Sequence, residues 1–248
     1  MKQQSNTTLT ATILIMASLM ISATAHAVVF TDAGASLQKI LNDITVAPAS
    51  KNSSIDVNTD QIKLDSQWRV AGSGGSYSQI IIELSGNAGI NTLGIYDVTN
   101  PLNMVTLYAG VDSAGAQKLL TFANDGSVLI NFADTGVDFA GNAFGYFLNT
   151  GTHIFYSDTD LNADAVDHMV AYQGQGVDVI DLPATLPGAW VGNEYIMAWE
   201  DQFGGGDANY SDLVLIIESV YPMPEPSMLA LLGIGIVGFI GSRSKKRI

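Results

Sequence analysis

The 248-residue chain carries 24 acidic and 10 basic side chains, a formal charge of −14, and no cysteine. So acidic a surface repels phosphate backbones and excludes DNA or RNA binding, while favouring divalent cations. The lack of thiols excludes disulfides, thiol nucleophiles and thiolate metal sites, which leaves a packed core and bound hard cations to stabilise the fold.

Residues 1–27 read as a cleavable signal peptide: Lys2 gives a positive start, Thr12 to Ile21 an apolar core, and Ala25-His26-Ala27 a small-x-small cleavage site. Cleavage leaves Val28 as the new N-terminus; the competing reading is an uncleaved anchor, for which the apolar stretch is short. Between Val28 and Tyr221 only five basic residues stand against 23 acidic ones, a formal −18. That stretch is abundant in glycine, poor in helix formers, and carries Val, Ile, Thr and aromatics in short bursts, as an all-β domain does.

After Ser36, the spacing of Leu37, Ile40, Leu41 and Ile44 predicts one amphipathic helix near residues 35–45, expected to cap one end of the core. Gly72-Ser73-Gly74-Gly75-Ser76 reads as a flexible loop, so residues 28–76 form a helical and linker portion. Strands are predicted at 77–84, 92–98, 104–109, 118–123, 127–132, 143–148, 153–156, 168–172, 195–200 and 213–220. Their regular recurrence between Gly, Asn, Asp and Pro predicts a β-sandwich or jelly-roll-like domain over residues 77–221. Asn124-Asp125-Gly126 predicts a hairpin over 118–132, with Val128, Ile130 and Phe132 on one face.

Two acidic loops are the candidates for chemistry. Asp158-Thr159-Asp160-Leu161-Asn162-Ala163-Asp164 places oxygen-bearing side chains at alternate positions, as calcium loops do, but Ala163 and Met169 stand where an EF-hand needs Gly and a bidentate Glu. The second runs from Trp199-Glu200-Asp201 through Gly204-Gly205-Gly206-Asp207 to Tyr210-Ser211-Asp212. Its glycines allow positive φ, so the carboxylates can turn inward around an ion; a solvated turn and a plain hairpin are the competing readings. If the two loops open on the same side of the sandwich, Asp158, Asp160, Asp164, Glu200, Asp201, Asp207 and Asp212 are the expected calcium ligands.

Catalytic readings are weaker. Asp167 and His168 offer part of a triad, yet no Gly-x-Ser-x-Gly elbow presents a nucleophile, and His168 is expected to be structural. Trp68, Trp190 and Trp199 could stack on sugars, although tryptophan in a sandwich usually belongs to the core.

Residues 222–248 close the chain with Pro224-Glu225-Pro226, an apolar run over 228–240, and the cations Arg243, Lys245, Lys246 and Arg247. The run is shorter than the ~20 residues of a comfortable span, and the cations hold the end on the cytoplasmic side. Transient membrane insertion is expected, with a single-pass tail anchor as the alternative. This order resembles the PEP-CTERM sorting signal, which implies recognition and removal of the tail by an exosortase and delivery to the cell surface or extracellular matrix. The segments around Leu93–Asp97, Phe155–Asp158, Asp167-His168 and Trp199–Val214 resemble the DUF4114 domain over roughly 77–220, with Ser211 where that family usually has Asn. The resemblance implies a β-rich surface module with no established reaction. The expectation is an exported, non-catalytic, calcium-binding β-sandwich whose partners are an exosortase and exopolysaccharide or surface proteins. The alternative is a secreted lectin or glycan hydrolase.

Overall fold

The computed structural model describes residues 28–72, 74–84 and 87–224. The expected signal peptide, Glu225 and Pro226, the apolar run over 228–240 and the tail cations lie outside them, and no helix among the described residues is long and apolar enough to cross a membrane. One helix, α1 (Ala35–Ile44), is followed by short strands: β1 (Thr45–Ala47), β2 (Gln67–Val70), β3 (Gly75–Glu83), β4 (Thr92–Asp97), β5 (Asn100–Tyr108), β6 (Gln117–Phe122), β7 (Ser127–Ile130) and β8 (Ala133–Asp138). The second half adds β9 (Ala143–Asn149), β10 (Ile154–Tyr156), β11 (Met169–Gln173), β12 (Val179–Ile180), β13 (Gly188–Ala189), β14 (Glu194–Trp199), β15 (Leu213–Glu218) and β16 (Val220–Met223).

These strands build an all-β sandwich. One sheet runs β16-β2-β9-β4-β5, with β10 on the edge of β9 that β2 also uses; the other runs β11-β14-β15-β3-β6-β7-β8. Between them lies the main core, centred on Trp68, Phe144, Tyr146, Tyr195, Met197, Trp199 and Leu215. A second apolar cluster covers the opposite face of the seven-stranded sheet, where Leu37, Ile40 and Leu41 of α1 meet Ile81, Val170, Ile196, Val214 and Ile216. Alternate residues of β14 therefore serve two cores, Tyr195, Met197 and Trp199 inward and Ile196 and Ala198 outward. A sheet covered on both faces needs apolar side chains on both, and this accounts for the unbroken apolar runs of β11, β14 and β15.

Several expectations are corrected here. The helix lies across the outer face of the seven-stranded sheet instead of capping an end of the core. Its start is held by the Asp32 carboxylate, which accepts from the backbone N–H of Gly34 and Ser36 at 2.8 and 2.9 Å. Gly75 and Ser76 belong to β3, where the buried Ser76 hydroxyl donates to Glu218 O at 2.7 Å. The hairpin β6–β7 forms as expected, but β7 ends at Ile130, and Asn131 and Phe132 turn with φ of 50° and 66°. Phe132 is consequently 77% exposed. The strand expected over 213–220 is broken at Ser219, whose φ of 60° carries the chain from one sheet to the other. The three tryptophans are all core residues, no more than 1% exposed.

Close packing of the sandwich fixes Gly145 by sterics. Gly145 pairs with Tyr96 across β9 and β4, and a Cβ at Gly145 would lie 2.2 Å from the Tyr96 ring carbon Cζ. Tyr96 is buried and packs edge-on against Tyr156 at 5.1 Å, so it has little room to move. Gly145→Ala is expected to cost about 1–3 kcal/mol, the usual range for overpacking. A thermal melt would register this as a drop of about 3–10 °C.

Candidate metal centre

The register of three neighbouring strands gathers the acidic groups at one end of the seven-stranded sheet. Trp199 pairs with Leu213 across β14 and β15, and Leu213 pairs with Glu83 of β3. Glu200 and Asp201 leave the end of β14 just where Asp212 enters β15. Glu200, Asp201 and Asp212 each offer a carboxylate oxygen within 4.8 Å of the others. Two oxygens on one calcium ion stand at most about 5 Å apart, so separations within that bound suit three ligands of a single ion.

The centre is buried. Glu200 is 0% and Asp201 4% exposed, and Glu200 Oε2 has no hydrogen-bond partner. Its other oxygen, Oε1, accepts from Gln202 N at 3.3 Å, and Asp212 Oδ2 accepts from Asp201 N at 2.9 Å. Burial, with the charges of Asp212 and Asp207 beside it, pushes the Glu200 carboxyl up to about 8. Asp212 is likewise raised, first by burial and then by Asp201 and Asp207. A carboxylate triad in a water-poor setting is stable only when a proton or a cation offsets its charge.

The glycine-rich loop makes the arrangement possible. Gly204, Gly205 and Gly206 all have positive φ, as the sequence leads one to expect. A Cβ at Gly206 would lie 2.3 Å from Glu200 Oε1, so this glycine lets the backbone pass directly beside the carboxylate. Tyr210 pins the far side of the loop: its ring meets Phe30 edge-on at 5.4 Å, and its hydroxyl donates to Asp167 O.

Of the seven expected ligands, the structure brings together Glu200, Asp201 and Asp212. Asp207 sits exposed at the rim, its Oδ2 accepting from Asn209 at 2.7 Å. The two acidic loops do meet, through Asp164, whose Oδ2 accepts from Gly204 N at 2.7 Å and lies 3.0 Å from His168 Nε2. Burial works to raise the Asp164 carboxyl, but the bonds from Gly204, His168 and Val166 hold it below the ordinary range. Asp158 is a turn residue, accepting from Asp160 N at 3.1 Å at the start of the short 3₁₀ turn Thr159–Leu161, and Asp160 is exposed. Neither joins the triad.

His168 is fully buried, with Nδ1 at 2.9 Å from Glu200 O and its ring stacked on Phe155 at 3.7 Å. It positions the backbone of the centre. Ser211 donates its N–H and hydroxyl to Asn209 Oδ1, at 2.8 and 2.6 Å, and so shapes the loop from outside the triad.

Sequence reasoning missed Glu83, Asn87 and Asn91. Asn91 and Asn87 donate their side-chain amides to Asp201 Oδ2 at 2.9 and 3.2 Å. Burial, with the charge of Asp201, lifts the Glu83 carboxyl to about 7 against a bond from Asn91. No local motif marks these residues; only the pairing of β3 with β15 brings them to the centre.

Comparison with known families places this end of the fold within a recognised domain. Residues 135–219 match the model described as Domain of unknown function (DUF4114), and residues 224–247 match the PEP-CTERM protein-sorting motif. The first match covers both acidic loops and β9–β15, while β3–β7, where the resemblance was expected to begin, lie outside it. No curated protein matches the chain. The sorting motif marks an exported protein processed by an exosortase, with a surface or extracellular location. The chain thus joins a PEP-CTERM protein-sorting motif at residues 224–247 to a β domain that matches DUF4114 over residues 135–219.

Proposed function

We propose that this protein is a non-catalytic structural module of the cell surface or exopolysaccharide matrix, and that its sandwich is braced by a calcium ion held by Glu200, Asp201 and Asp212. The observation that carries the reading is the fully buried Glu200 carboxylate with an unpartnered oxygen, facing two further carboxylates within 4.8 Å. All three donors are oxygens, which suits a hard cation, and calcium tolerates the irregular geometry that a loop and two strand ends provide. The lectin alternative is less well supported, because Trp68, Trp190 and Trp199, its candidates for stacking on a sugar, are buried in the core.

Calorimetric melting of residues 28–223 tests the calcium reading. An ion at a hundred times its dissociation constant stabilises by about 2.7 kcal/mol. For a domain of this size the melting temperature is then expected to rise by about 5–10 °C over the value in chelator. Identical melting in calcium and chelator would overturn the reading.

A further inference from the structure

We propose that Asn91 supplies a fourth oxygen to the cation, so that one ion ties the turn before β4 to the β14–β15 hairpin. The inference rests on the cation reading above and adds a ligand from a part of the chain more than a hundred residues away in sequence. Asn91 is 3% exposed, and its carboxamide oxygen Oδ1 is buried without a hydrogen-bond partner. Its amide nitrogen donates to Asp201 Oδ2 at 2.9 Å. Since the two polar atoms of one carboxamide are only about 2.3 Å apart, Oδ1 lies within roughly 5 Å of a ligand carboxylate.

An unpaired carboxamide oxygen in a buried site is costly, and a second unpaired oxygen, Glu200 Oε2, belongs to the same centre. A cation satisfies both at once. A carboxamide oxygen is an ordinary calcium ligand beside carboxylates, so it extends the oxygen set that the three acids begin. The turn is built to hold the residue in place: Ile90 N and Asn91 N both donate to Asn87 O, at 2.7 and 2.9 Å, and Asn87 reaches Asp201 as well. Asn87 acts there as a donor, which makes it the internal control.

Calorimetric titration of residues 28–223 with calcium chloride separates the two neighbours. Asn87→Ala removes only a donor to Asp201, whereas Asn91→Ala removes a donor and a ligand, and is expected to weaken calcium by at least about tenfold more than Asn87→Ala does. Asn91→Asp keeps an oxygen and loses the donor, so it is expected to bind within about threefold of the parent or more tightly. If the parent binds calcium and Asn91→Ala loses no more affinity than Asn87→Ala, the proposal falls while the cation reading stands. If the parent does not bind, the cation reading falls and takes the proposal with it. Should Asn91→Ala fail to fold, Asn91→Asp decides alone: retained affinity supports the oxygen ligand, and a loss of about tenfold assigns Asn91 to hydrogen bonding only.

Discussion

In chelator the domain is expected to melt at steadily lower temperature as pH rises from about 5 to about 8.5, and millimolar calcium is expected to flatten that decline. Burial lifts Glu200 from 4.5 to about 8, with Asp212 and Asp207 adding repulsion. It also lifts Glu83 and Asp167 to about 7 each. A carboxyl whose folded pKa exceeds its unfolded value holds its proton more tightly in the native state. Its stabilising contribution is fully present below the unfolded value and is lost as pH climbs through the folded one. For Glu200 that window runs from about 4.5 to about 8. The total is on the order of a few kcal/mol, shared among coupled groups, or about 10 °C in melting temperature. Calcium replaces the proton as the partner of the triad, so its affinity should rise with pH and its binding should release protons. Glu200→Gln keeps the shape and removes the charge; it is expected to shrink the decline in chelator and to abolish the response to calcium. Melting curves that stay parallel in calcium and chelator across the pH series would remove the ion from the triad.

What could be read in the sequence follows from how locally each feature is determined. Most strands of the two large sheets announce themselves as short β-branched and aromatic runs between turn residues, and Asn124-Asp125-Gly126 sets the β6–β7 hairpin within a few residues. The glycines at 204–206 likewise foretell the positive φ they adopt. Very short strands such as β1, β12 and β13 carry too few residues to show a period, and β2 offers only four. The candidate site is half legible for a related reason. Glu200, Asp201 and Asp212 flank one hairpin loop, so their convergence is nearly local. Glu83 and Asn91 arrive through the antiparallel pairing of β3 with β15, which is a tertiary fact. Asp158 and Asp160 show the opposite error: oxygen-bearing residues at every second position suit a calcium loop, but they suit a capped 3₁₀ turn equally well.

A chain cut to residues 77–221, the limits that strand periodicity gives for the sandwich, is expected not to fold cooperatively. The cut removes β2 from between β16 and β9, and β16 then loses the strand it pairs with. Trp68 goes with it, a fully buried ring that packs edge-on against Tyr195 of the opposing sheet at 5.0 Å and Tyr146 of its own at 6.2 Å. Losing that side chain alone costs about 3–5 kcal/mol, a large share of the 5–15 kcal/mol that holds a typical domain folded. The same cut strips Phe30, Leu37, Ile40, Leu41, Ile55 and Val57 from the second cluster and lays bare the outer face of the seven-stranded sheet. An uncovered apolar face with an unpaired edge strand leads to aggregation in place of a smaller stable sandwich. Residues 28–223 contain both clusters in full and are expected to melt in a single transition. Circular dichroism and size-exclusion chromatography of the two lengths would decide; a soluble, cooperatively melting 77–221 fragment would show that the N-terminal segment is an accessory to the sandwich instead of part of its core.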